Sequence, residues 1–172
     1  MNLLNKIIKY KQTILMGISL LLVILFFLPW ITNNPDLETF AYSEIQMSGF
    51  KLFTGYHELM PTVSQLLMSL DLKMFSNLLY FGYLLILFPV LGIVALILSG
   101  IRHRHAQIVH AIHYTFSLLM LLPVFFGIVF LPDLRTMFFS IFGFSIGFYL
   151  SMITAALGCV MIIVGMKRSS NQ

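Results

Sequence analysis

Residues 13–31 read TILMGISLLLVILFFLPWI, without one charged side chain. A helix rises about 1.5 Å per residue, so this run approaches the roughly 30 Å hydrocarbon core of a bilayer. Lys6, Lys9 and Lys11 precede it like the basic n-region of a signal peptide. The run is longer than the about 7–15 residues of a signal h-region, however, and no A-x-A-like site directly follows. It reads as a retained anchor helix.

Three more apolar stretches follow, at 78–101, 108–131 and 138–166. The composition agrees with four spans. Hydrophobic residues make up 59% of the 172 residues and charged residues only 9%, against about 25% charged in a soluble domain. Mean hydropathy is +0.97. A soluble surface needs more charge than this chain carries. A sequence pI near 9.3 therefore does not indicate a nucleic-acid binder. The single cysteine, Cys159, excludes an intrachain disulfide and a CxxC redox pair.

The charges divide by segment. Lys6, Lys9, Lys11, Arg102, Arg104, Lys167 and Arg168 lie in the N-terminal segment, the turn 102–107 and the C-terminal segment, with no acid among them. Asp36, Glu38, Glu44, Glu58, Asp71 and Asp133 lie in the first and third connections, accompanied by Lys51, Lys73 and Arg135. The positive-inside rule then puts both termini and the turn 102–107 in the cytoplasm. The loop 32–77 and the turn 132–137 fall outside. Short connections predict antiparallel neighbouring helices.

Within the outside loop, Asn33-Asn34-Pro35-Asp36 is a turn signal. Partial alternation over 37–46, a turn at Ser48-Gly49, and Phe50, Leu52 and Phe53 after it predict two short strands. From Pro61 onward, Leu66, Leu67, Leu70 and Met74 recur at helical spacing, predicting an amphipathic interfacial helix with proline in its first turn.

No acid, lysine or arginine falls within a predicted span. Intramembrane charge marks ion-coupled transport, so this argues against a proton-coupled exporter. His103, His105, His110 and His113 crowd together, the last two on one face of the third span. A zinc site would need further ligands, and no cysteine or acid lies on that side; haem ligation would need a histidine from a second span. The four are read instead as a basic cap beside lipid headgroups, with no metal and no cofactor assigned. Trp30, Tyr80, Tyr83 and Tyr114 are read as interfacial anchors. Outside, Glu44, Phe50, Tyr56, His57 and Glu58 form a candidate partner-binding loop. His57 and Glu58 are also the residues an enzyme reading would use, although no serine-elbow or HExxH motif accompanies them.

The fourth span carries Gly143, Gly147, Ser151, Ala155 and Cys159 every four residues. Such a stripe lets helix backbones approach closely, within the bundle or in a complex. Phe144, Phe148 and Met152 would then face lipid or a partner. Pro89 with Gly92, and Pro123 with Gly127, mark the second and third spans as kinked and suggest a cavity or hinge between them.

Phe27-Leu28-Pro29-Trp30 followed by Ser48-Gly49-Phe50-Lys51-Leu52 resembles a loose class of small bacterial four-span membrane proteins, in which helix 1 ends at Pro-Trp and the first outside loop carries Ser-Gly-aromatic. The layout is also similar to claudins, without their paired loop cysteines. The resemblance implies a bacterial inner (plasma) membrane and an interaction protein. The expected fold is an antiparallel four-helix transmembrane bundle with a small β-containing outside loop and an interfacial amphipathic helix. The expected function is a non-enzymatic accessory or structural subunit. Its partners would be membrane lipids and another membrane or extracytoplasmic protein or a second copy, with no nucleic acid. The alternative is a small transporter, channel or lipid-handling protein using the Pro89–Pro123 region.

Overall fold

In the computed structural model, which describes residues 10–33, 46–69 and 79–169, the apolar run 13–31 splits in two. Helix α1 spans Lys11–Phe27 and strand β1 spans Pro29–Asn33. Pro29 is the reason. It has no N–H to donate, and it forces the residue before it out of the helical region. Leu28 accordingly sits at φ −79°, ψ 157°. The freed end of α1 is tied down by Trp30, whose indole Nε1–H donates to the Leu25 carbonyl at 2.9 Å.

Strand β2 (Gln46–Ser48) and strand β3 (Phe142–Phe144) flank β1 in an antiparallel sheet of order β2-β1-β3. Ile31 pairs with Met47 on one side and Phe144 on the other. Of the two short strands expected within the loop, the second is therefore corrected. Residues 37–45 lie outside the described residues, and the partner of β2 is the extended end of the first apolar run. Phe50, Leu52 and Phe53 are not a strand but the start of helix α2 (Gly49–Ser69). Ser48 caps that helix, its Oγ accepting from the Lys51 N–H at 3.1 Å. Pro61 lies inside α2 rather than in its first turn. Leu70 and Met74 lie outside the described residues.

The second apolar stretch begins as a 3₁₀ helix, Leu79–Ile86, and continues as α3, Leu87–Gly100. Helix α4 (Ala106–Phe130) matches its expected span closely. The fourth stretch does not match. Helix α5 (Pro132–Ile141) fills what was read as a tight turn, β3 follows, and α6 (Ile146–Ser169) is the long helix. Among the described residues, three helical stretches are long and apolar enough to cross a membrane: Gly82–Gly100, Ala106–Phe130 and Ile146–Val164. Helix α1, at 17 residues, is shorter, about 26 Å by helical rise. It packs along both α3 and α6, and α4 packs along α3 and α6 from the other side.

The outward faces are apolar: Ile97, Leu119, Ile153 and Val160 are all more than half exposed. A water-soluble bundle places polar residues there. The three long apolar helices and these faces fit a membrane protein.

The α3–α4 turn closes by a Schellman arrangement. His103 N–H donates to the Leu98 carbonyl at 2.8 Å and Arg102 N–H to the Ser99 carbonyl at 3.1 Å. Arg102 takes the left-handed position, φ 53°, that glycine usually fills.

Candidate functional site

Five polar side chains from three helices meet inside the bundle: Ser19 from α1, Ser99 from α3, and His110, His113 and Tyr114 from α4. All five are buried, none more than 3% exposed. Ser19 sits at the centre. Its Oγ lies 2.7 Å from His110 Nδ1, 3.3 Å from His113 Nδ1, and donates to Tyr114 Oη at 3.1 Å. Tyr114 Oη in turn donates to the Leu15 carbonyl at 2.6 Å and lies 3.2 Å from His110 Nδ1. The other nitrogen of His110, Nε2, lies 2.8 Å from Ser99 Oγ.

The local sequence explains the convergence. His110, His113 and Tyr114 stand three and four residues apart, so a helix stacks them on one face. Gly92 on α3 makes room. A Cβ there would lie 2.5 Å from Val23 Cγ2 and 2.9 Å from His113 Cε1. Gly158 on α6 does the same beneath the ring of Tyr114. Toward the turn, Gln12 Nε2 donates to the Ser99 carbonyl and Lys11 Nζ to Gln107 Oε1, both at 3.1 Å, closing α1 over the site. One atom is left over: His113 Nε2 is buried without a hydrogen-bond partner.

The four-histidine cap is thus corrected. His103 and His105 lie exposed on the turn, their rings 5.2 Å apart. His110 and His113 point inward, because helical periodicity carries them onto the α1- and α3-facing side. Tyr114 and Trp30 are likewise buried and not interfacial anchors. Trp30 packs against Phe26, Phe88 and Phe148 with ring centroids 5.6, 5.5 and 6.1 Å away.

The small-residue stripe survives in part. Gly147, Ser151 and Ala155 are buried, and a Cβ at Gly147 would run into the Pro29 carbonyl. Gly143 stands on β3, off the helix, paired with Thr32. Cys159 is half-buried, in a half-open groove with Ala111, Thr115, Ile162 and Ile163. The physical reason is pitch. A step of four residues overshoots a 3.6-residue turn by about 40°, so the stripe rotates out of the interface and Gly158 replaces Cys159. Phe148 is buried and not lipid-facing.

Of the loop candidates, Glu44 lies outside the described residues, as do the side chains of Tyr56 and His57. Phe50 and Glu58 are exposed on α2, and Phe50 packs its ring 5.5 Å from Phe27. Pro89 is buried in the first turn of α3, while Pro123 is exposed on α4. Gly127 is half-buried, with open space where a Cβ would stand. Ser19 and Ser99 were missed because an isolated serine in an apolar run carries little signal by itself.

Hydroxyls and imidazoles so arranged cross-link three helices. A buried polar group left unpaired costs about 1–3 kcal/mol, so each partner holds the others in place. Among the described residues no three His, Cys, Asp or Glu side chains gather. No protein-family model, curated protein or solved structure matches the chain.

Proposed function

We propose that the chain is a four-span membrane accessory subunit that acts through protein–protein contacts and not through catalysis. In this reading α1 crosses the bilayer with α3, α4 and α6, and both termini are cytoplasmic. The chain resides in a bacterial inner membrane. Its closeness to α3 and α6 supports α1 as a span. So does the charge division, with Lys11, Arg102 and Arg104 and no acid at one end, and Glu58 and Asp133 beside Lys51 and Arg135 at the other.

The observation that carries the reading is the layer at the sheet end. Strands β1 and β3 continue directly from α1 and into α6, and Ser145 N–H donates to the Trp30 carbonyl at 2.8 Å. Helices α2 and α5 are therefore joined directly to the strands of this sheet. A preformed outer surface suits recognition, because little ordering entropy is lost on binding. Phe50 and Met68 are large apolar side chains exposed on α2. The partner is another membrane or extracytoplasmic protein, or a second copy.

Purification from native membranes in mild detergent tests this. The expected result is a stoichiometric second protein or a dimer, lost on Phe50→Glu with Met68→Glu while the bundle still melts normally. A strictly monomeric species with no co-purifying protein contradicts it. The transporter alternative wants free space near Pro89 and Pro123. His113 and Val23 occupy the Gly92 side, so the geometry favours the accessory reading.

A further inference from the structure

We propose that the groove between α4 and α6 seats one acyl chain of an anionic phospholipid, with Lys11, Arg104 and Lys167 at its headgroup end. The groove is lined by Ala111 and Thr115 on α4 and by Cys159, Ile162 and Ile163 on α6, and measures about 170 Å³. Short side chains on both helices leave it, Thr115 Oγ1 and Cys159 Sγ lying 4.0 Å apart in it. An apolar cavity of about 150 Å³ takes up benzene, so this space suits a run of about six chain carbons. On the outer face of a bundle in hydrocarbon, an unfilled gap forfeits the dispersion contacts of its lining. A lipid chain is the apolar body at hand to fill it.

Charge at one end of the groove selects the headgroup. Ala111 and Thr115 stand about 8 and 14 Å along α4 from its first residue, by helical rise. Gln107 opens the same four-residue row, and its Oε1 accepts from Lys11 Nζ at 3.1 Å. That partner is a neutral amide, so the Lys11 charge is held in place without being cancelled. Arg104 is exposed on the turn just before α4. On α6, Lys167 follows Ile163 by four residues, one turn nearer the helix end. The groove lies in the first half of α4 and the second half of α6, so the start of one helix and the end of the other bring these cations to the same side. The acids among the described residues, Glu58 and Asp133, lie on α2 and α5, the helices joined to the sheet. No carboxylate among the described residues therefore competes for Lys11 or Arg104. Basic groups beside spanning helices are a general means of holding anionic headgroups. The site is separate from the partner surface on α2 and does not depend on it.

The test uses the full chain in mild detergent, titrated with dioleoyl phosphatidylglycerol or dioleoyl phosphatidylcholine and read by native mass spectrometry. The expected result is one phosphatidylglycerol per chain, preferred over phosphatidylcholine by about 10–100-fold, since each basic residue near anionic lipid is worth about fivefold. Lys11→Gln with Arg104→Gln should weaken phosphatidylglycerol binding about 25-fold by the same arithmetic. Lys51→Gln with Arg135→Gln, at the sheet end, should bind as the parent does. Thr115→Phe fills the groove and should weaken both lipids at least about 10-fold, through lost burial of the chain. Should that variant fail to fold, Cys159 in the parent carries the same test. Its alkylation by N-ethylmaleimide should slow with phosphatidylglycerol and not with phosphatidylcholine at the same concentration. Equal affinity for the two lipids overturns the proposal, as does a folded Thr115→Phe protein that binds like the parent, or Cys159 alkylation indifferent to phosphatidylglycerol. Equal losses from the Lys51, Arg135 pair and the Lys11, Arg104 pair overturn it too. A dimer that Thr115→Phe dissociates, with no lipid retained, overturns it in favour of a second copy in the groove.

Discussion

The two ends of the bundle are closed by opposite means. Near the α3–α4 turn, α1, α3 and α4 are joined by hydrogen bonds among Ser19, Ser99, His110, His113 and Tyr114. Near the sheet, the same α1 and α3 meet α6 through Phe26, Trp30, Phe88 and Phe148. His113 marks the border, its ring edge-on to Phe88 at 5.9 Å. In an apolar solvent there is no hydrophobic drive to bring helices together, so close packing and interhelical hydrogen bonds must do it. The aromatic end uses area and shape. The polar end uses few atoms with strict directions.

Breaking the aromatic end should have the largest effect. Trp30→Ala removes the shared ring and strips the Leu25 carbonyl of its donor. A loss of about 3–5 kcal/mol is expected, read from unfolding of the detergent-solubilised protein. Trp30→Phe should cost less, because the ring contacts remain. If the two variants melt alike, the aromatic cluster is not what closes that end.

Crowding the helix contacts comes next. Gly147→Ala drives a methyl into the Pro29 carbonyl and should cost about 1–3 kcal/mol. Gly17→Ala has open space around it and should stabilise α1 by up to about 1 kcal/mol, since glycine is a poor helix former. Equal effects from both would contradict the packing of α6 on the end of α1.

The polar end should yield smaller energies. Individual interhelical hydrogen bonds in membranes average about 0.6 kcal/mol. A double-mutant cycle of Ser19→Ala with Tyr114→Phe should give a coupling of about that size. Zero coupling would break the contrast between the ends. Of similar size and opposite sign, Arg102→Gly relieves the left-handed backbone at φ 53° and should raise stability by about 1 kcal/mol or less.

Much of the helical content was readable before the structure. Helix α4 could be placed because its apolar run is long and its flanks are polar. The end of α1 was misjudged because hydropathy does not register that Pro29 cannot continue a helix, although Pro29-Trp30 stood in plain view. The apolar run 138–166 concealed a helix, a strand and a second helix, since Phe138, Phe142 and Phe144 suit either state. Sheet pairing was beyond reach: β1, β2 and β3 come from distant segments, and no local pattern specifies a partner. The buried cluster was half legible. The three- and four-residue spacing of His110, His113 and Tyr114 fixed a common face, but not which way it looked. That direction depends on Ser19 and Ser99, whose approach is a tertiary event.

The claim on which the rest depends is that the sheet end lies outside and the histidine turn inside. Cysteine labelling in intact cells tests it most directly. In a Cys159→Ala background, Ser140→Cys on α5 and His105→Cys on the turn each place one thiol at an exposed position. A membrane-impermeant maleimide should label the Ser140→Cys protein in intact cells and the His105→Cys protein only after permeabilisation. Labelling of the His105→Cys protein in intact cells, or of both proteins alike, would contradict the account.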